Sequence, residues 1–133
     1  MTLEFFMPMN PPTITAQEHK VNVRNGKPVF FDPPELKAAR QKLLDHLAQH
    51  RPENWIGGPI ELTVTWCFHT EDIRLDGTWK ITRPDTDNLD KLLKDCMTKL
   101  RFWNDDAQVC REIIEKFWVS RSIPGIYVRI AQL

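Results

Sequence analysis

The chain has 133 residues, 41% of them hydrophobic, which suffices for one modest buried core and predicts a single domain over residues 1–133. Eighteen basic residues balance eighteen acidic ones, which argues against a coat protein that holds nucleic acid by bulk charge. No apolar run approaches the roughly 18 residues of a membrane span, and the opening MTLEFFMPMNPP carries an early acid and no long apolar stretch behind a basic start. Neither a membrane segment nor a signal peptide is predicted, and the expected location is cytoplasmic.

In chain order, Leu3, Phe5 and Met7 alternate ahead of a Pro-rich corner and predict a short strand over 2–7. Val21, Val23 and the run from Pro28 to Phe31 flank Asn25-Gly26, the strongest local signal for a hairpin. Asp32 before Pro33-Pro34-Glu35 predicts a capped helix start, with Glu35 at the capping-box position. Leu36, Ala39, Leu43 and Leu47 then trace one helical stripe to about His50. His46 and His50 have helical spacing but no HExxH pattern, and are expected to be solvated.

Pro52 and Gly57-Gly58-Pro59 break the helix, and Leu62, Val64, Trp66 and Phe68 alternate as a strand on the core. Residues 70–84 are polar, with a turn expected at Asp76-Gly77 and an extended piece around Trp79 to Thr82. From Leu89 onward Leu92, Leu93, Cys96 and Leu100 form one face of a helix ending near Arg101, with Asp87, Lys91, Lys94 and Thr98 opposite. Glu112 to Val119 and Ile126 to Ile130 read as the last strands. This order predicts an α+β fold, a small mixed or antiparallel sheet packed against helices, with α/β as the nearest rival. Cys67, Cys96 and Cys110 are widely spaced without a CxxC pair, and are expected to be buried, reduced thiols.

The densest polar constellation is RPDTDNLDK at 83–91, followed beyond the helix by FWNDDAQV at 102–109. Asp85 and Asp87 are two apart on a stretch that Pro84 biases toward extension, so both carboxylates are expected to point the same way just before the helix. Magnesium prefers carboxylate oxygens and keeps several waters, so one or two such ligands plus a substrate phosphate complete its shell. The competing reading makes Asp87 a helix cap and pairs Asp87 with Lys91 and Asp90 with Lys94 on a wet face, with Asp105 and Asp106 in an exposed turn. Spacing alone leaves both open, as it leaves Lys91 between a phosphate oxygen and a neighbouring carboxylate, whereas for Lys116 solvent fits better than phosphate. Trp103 beside the acidic pair invites base stacking, although a core role fits its position better. Basic residues including Lys20, Arg24 and Lys27 outnumber acids between 19 and 51.

These motifs resemble the RusA family of Holliday junction resolvases, whose pattern is Asp, one residue, Asp, Asn-Leu, then Lys, and after a helix an aromatic residue followed by Asp-Asp-x-Gln-Val. The resemblance implies that Asp85, Asp87, Lys91 and Asp106 are catalytic, with Asp85, Asp87 and Asp106 holding Mg2+ or, in its place, Mn2+. It further implies a compact α+β homodimer that makes paired, symmetry-related nicks in four-way DNA junctions. Lys116 falls where a lysine recurs, and with Arg83, Lys20, Arg24 and Lys27 it is a candidate contact to DNA or phosphate. A flap- or fork-selective endonuclease and a non-cleaving protein that binds branched DNA are the alternatives. The zero net charge departs from the family's more basic balance.

Overall fold

The computed structural model describes residues 1–15, 20–24 and 26–133, with residues 20–24 and 28–31 described by their backbone alone. Its strands are β1 (Thr2–Pro8), β2 (Lys20–Arg24), β3 (Lys27–Phe31), β4 (Ile60–His69), β5 (Val109–Val119) and β6 (Gly125–Gln132), and its helices are α1 (Pro34–Ala48) and α2 (Thr86–Lys99). The four long strands form one mixed sheet in the order β1-β6-β4-β5, while β2 and β3 pair as a separate hairpin. This is the α+β architecture expected from the sequence. The β1–β6 and β6–β4 pairs are antiparallel and β4–β5 is parallel. A parallel pair needs a crossover, and α2 supplies it.

Alternation in β4 buries Ile60, Leu62, Val64, Trp66 and Phe68 on one face of the sheet. Those side chains share a single core with Leu36, Leu43 and Leu47 of α1 and with Leu89, Leu92, Leu93, Cys96 and Met97 of α2, so both helices cover the same face. Truncating one such leucine to alanine costs about 2–5 kcal/mol. Phe102 and Trp103 extend the core beyond α2, and Trp103 Nε1 donates to Thr98 Oγ1 at 2.7 Å, which assigns this tryptophan to packing.

Several local expectations are corrected. The helix α1 is capped by Pro33 without a side-chain bond, because Asp32 instead forms an ion pair with Arg40. His46 and His50 are half-buried, His50 stacking on Phe5 with ring centroids 4.4 Å apart. Of the cysteines only Cys96 is buried; Cys67 is half-buried and Cys110 is exposed near the start of β5. The expected turn at Asp76-Gly77 is present, with Gly77 at φ 77°. The stretch after it pairs with the sheet edge: Trp118 N donates to Thr78 O at 2.9 Å and Lys80 N to Lys116 O at 3.0 Å. Trp79 stacks on Phe117 there, centroids 4.3 Å apart. The Asn25-Gly26 expectation meets a hairpin, although Asn25 itself lies outside the described residues.

Candidate active site

The site is built where the start of α2 faces the start of β5. The helix begins at Thr86, three residues earlier than its apolar stripe suggests. Asp85 is the N-cap residue, extended at φ −73° and ψ 149°, and its carbonyl accepts the Leu89 amide at 3.1 Å. Asp87 therefore lies inside the first turn, where its Oδ1 accepts from Asn88 N at 3.0 Å. The expectation of one extended stretch is corrected, since Asp87 belongs to the helix, while the two acids still line one cavity. Both acids are exposed.

Two polar cavities meet at Asp87. One, of about 440 Å³, is lined by Thr86, Asp87, Asp90, Lys91, Lys94, Asp106, Glu112 and Ile114. The other, of about 380 Å³, is lined by Thr13, Thr15, Arg83, Pro84, Asp85, Asp87 and Asn88. Asp87, Lys91 and Asp106 thus share one cavity, whereas Asp85 and Arg83 border its neighbour.

Asp106 opens a single 3-10 turn, Asp106–Gln108, that leads into β5. The adjoining Asp105 is occupied structurally, since its carboxylate accepts from Ala107 N at 3.1 Å in a capping box closed by Gln108. Gln108 Oε1 accepts from Asn104 N at 2.8 Å and from Asp105 N at 3.0 Å, and its Nε2 donates to Ile56 O and Gly58 O at 2.9 and 3.0 Å. One side chain therefore ties the acidic turn to the 56–58 loop. Asp106 is the member of the acidic pair that borders the cavity.

Lys91 projects into solvent, its side chain 67% exposed, and its Nζ lies 3.7 Å from Asp95. The pair expected with Asp87 is not formed. Lys94 does approach Asp90, at 3.4 Å, and also binds Glu112 at 2.5 Å. Sequence reasoning missed Asp90 and Glu112 as cavity residues. Burial, then the hydrogen bond with Glu112, pushes the Asp90 carboxyl up to about 7. Burial also acts to raise Glu112, but the hydrogen bond from Asp90 and the pairing with Lys94 bring it below its ordinary value. Of the two, Asp90 is therefore the acid that takes up a proton first as pH falls. Helical spacing of 87, 90, 91 and 94 signals a shared face; Glu112 is visible only through the sheet register.

The remaining candidates are dispersed. Lys116 Nζ is turned toward the chain, donating to Thr82 O at 2.8 Å and Pro84 O at 2.7 Å. Lys27 is exposed beside the hairpin turn, and the side chains of Lys20 and Arg24 lie outside the described residues.

The donors suit a hard cation in kind, being carboxylate oxygens, and Asp90 Oδ1 is buried in the cavity wall without a hydrogen-bond partner. Among the described residues no three His, Cys, Asp or Glu side chains converge on one point. Two carboxylates and several retained waters are nonetheless a sufficient magnesium shell.

A polar cavity with acids and ammonium groups in one wall is suited to phosphate chemistry rather than to an apolar ligand. The class is that of an endodeoxyribonuclease, since the family model for endodeoxyribonuclease RusA matches residues 8–131. The chain belongs to the RusA family. It is 32% identical over 111 residues to the crossover junction endodeoxyribonuclease rusA of Lactococcus phage r1t, covering 82% of this chain and 83% of that protein. It is also 30% identical over 120 residues to the uncharacterized protein YqaN of Bacillus subtilis strain 168, covering 81% and 83%. No helix of the described residues is long and apolar enough to cross a membrane.

Proposed function

We propose that the chain is a divalent-metal-dependent endonuclease that resolves four-way DNA junctions by paired, symmetric phosphodiester cleavage, acting as a homodimer with Mg2+, or Mn2+ in its place. The observation that carries the reading is the common cavity of Asp87, Lys91 and Asp106, with Asp85 beside Asp87 in the adjoining one. The name of the phage relative supports the choice of substrate.

Asp87 and Asp106, joined by Asp85, would hold the cation. When bound, it supplies Lewis acidity and a water of lowered pKa. Lys91, exposed at the mouth of the cavity, stabilises charge on a nonbridging or leaving oxygen. Lys94 adds a second ammonium, but Asp90 and Glu112 anchor it in the wall. Burial raises the Asp90 carboxyl while Glu112 is held below its ordinary value, so Glu112 is the stronger anionic partner of Lys94. Arg83, in the second cavity, is placed to take a phosphate neighbouring the scissile one. Two equivalent sites on a two-fold dimer address two equivalent strands of a junction.

The test compares wild type with Asp87→Asn on labelled four-way, three-way, flap and linear DNA in magnesium, with binding measured in calcium. Paired nicks in the four-way junction by wild type, abolished in a folded Asp87→Asn that still binds, support the reading. Preference for flaps reassigns the substrate, and binding without nicks in magnesium or manganese makes the chain a non-cleaving branched-DNA protein.

A further inference from the structure

Three consecutive carbonyls, those of Thr82, Arg83 and Pro84, precede Asp85, and all three are held by ammonium groups. Lys80 Nζ donates to Thr82 Oγ1 at 2.6 Å, Thr82 O at 3.3 Å and Arg83 O at 2.5 Å. Lys116 Nζ donates to Thr82 O at 2.8 Å and Pro84 O at 2.7 Å. The two lysines come from different elements, Lys80 from the stretch along the sheet edge and Lys116 from β5, yet they meet on the Thr82 carbonyl.

Lys80 is only 6% exposed, and its ammonium lies 4.5 Å from the centre of the Trp118 ring and 5.0 Å from that of Phe68. Burying an ammonium costs several kcal/mol unless donors and rings compensate it. Burial, and then the charge of Lys116, hold the Lys80 pKa below its ordinary value. Two like charges gathered on one short loop are unfavourable for stability alone, since neutral donors would satisfy the same carbonyls. What they do achieve is a fixed backbone, through charge-assisted bonds, for the residues leading directly into the acidic turn.

We infer that Lys80 and Lys116 are positioning residues for the acidic turn, gripping the 82–84 carbonyls so that Asp85 and Asp87 are presented at their two adjoining cavities. Lys116 then acts through the loop rather than on DNA. The inference rests on the reading of Asp85 and Asp87 as cation ligands.

The sign of its effect on cation binding makes it testable. Deleting a positive charge near a cation site tightens binding if charge is all that matters. Loss of positioning weakens it, and outer residues of this kind typically matter by about 10–100-fold. The full chain is titrated with Mn2+, reading the free ion by electron paramagnetic resonance, in wild type, Lys80→Met, Lys116→Met, Lys116→Arg and Asp87→Asn. Thermal melts and four-way-junction binding in chelator are measured alongside. We expect Lys116→Met to melt cooperatively, bind junction in chelator as wild type does, and weaken Mn2+ by about tenfold or more, with Lys116→Arg recovering most of the loss. Unchanged or tighter Mn2+ binding in folded Lys116→Met, while Asp87→Asn loses the ion, overturns the inference and leaves the site reading standing. So does weaker junction binding in chelator with Mn2+ affinity intact, which makes Lys116 a phosphate contact. Retention of wild-type Mn2+ binding by Asp87→Asn overturns the ligand reading itself. Lys80→Met is the stronger perturbation, and if it fails to fold, Lys116→Met decides.

Discussion

Across the gap between α2 and β5 the Asp90 and Glu112 side chains share one ammonium, Lys94 Nζ lying 3.4 Å from the first and 2.5 Å from the second. Burial raises the Asp90 carboxyl to about 7, so this wall of the candidate site changes charge near neutral pH. The shift makes stability depend on pH in a defined direction.

The Asp90 carboxyl titrates at about 7 in the folded protein against an ordinary value of 3.8. Between about pH 4 and pH 7 the native state therefore holds a proton that the unfolded chain has released. Stability from this group is complete below that window and is lost as pH rises through 7. Asp90→Asn mimics the protonated form at every pH. Its melting temperature relative to wild type should accordingly climb from pH 5 to pH 8, measured in chelator. A difference that stays constant over that range would mean that Asp90 is not protonated in the folded protein.

Asp105 and Asp106 should separate cleanly. Asp105 caps the turn, so Asp105→Ala is expected to cost about 1 kcal/mol of stability. Asp106 has no such duty and borders the cavity, so Asp106→Asn is expected to leave the melt unchanged while reducing cleavage of a four-way junction by about 100-fold or more. Paired denaturation curves and single-turnover rates check both. The opposite pattern, with catalysis lost at Asp105 and retained at Asp106, would exchange their roles.

How far such assignments are legible in sequence depends on the range of the interaction. The β4 alternation from Leu62 to Phe68 and the α2 stripe from Leu89 to Cys96 are local periodicities, and both elements form as expected. The start of α2 is less visible, because Thr86 and Asp87 are polar and extend the helix beyond its apolar face. Asp90 reads as a surface partner of Lys94, and that ion pair does form. Its burial does not follow from α2 alone, since the covering wall comes from β5 through Glu112 and Ile114. Lys80 was equally hidden: its cage joins β4, β5 and the 82–84 loop, a contact set that no local pattern encodes.

Gln108 provides a test of coupling between framework and site. Its side chain makes four hydrogen bonds that join the acidic turn to the 56–58 loop. Gln108→Ala leaves backbone groups on both sides without these partners, and should destabilise the protein by about 1–3 kcal/mol. Because Asp106 starts the same turn, cleavage should fall as well, at temperatures where the variant is still folded. Circular dichroism sets that temperature. A destabilised variant with wild-type turnover would show that the turn holds Asp106 without help from Gln108.

Lys91 gives the sharpest separation of stability from chemistry. Its side chain is mostly in water and its ion pair with Asp95 is open, so that pair contributes only about 0.3–0.5 kcal/mol. Lys91→Met keeps the aliphatic stem and removes the charge, and the melting temperature should move by no more than about 2 °C. Asp95→Asn breaks the same pair from the other side without touching the cavity lining, and should leave turnover intact. If Lys91 stabilises charge developing on the phosphate, its loss should slow single-turnover cleavage by about 10²–10³-fold. Junction binding should weaken far less, with the salt dependence of binding reduced by no more than one phosphate contact, about 0.9 in slope. Running both variants beside wild type in magnesium distinguishes the two duties of one lysine. Equal, modest losses in Lys91→Met and Asp95→Asn would assign the pair to helix stability, and a folded Lys91→Met that cleaves at the wild-type rate would remove Lys91 from the reaction.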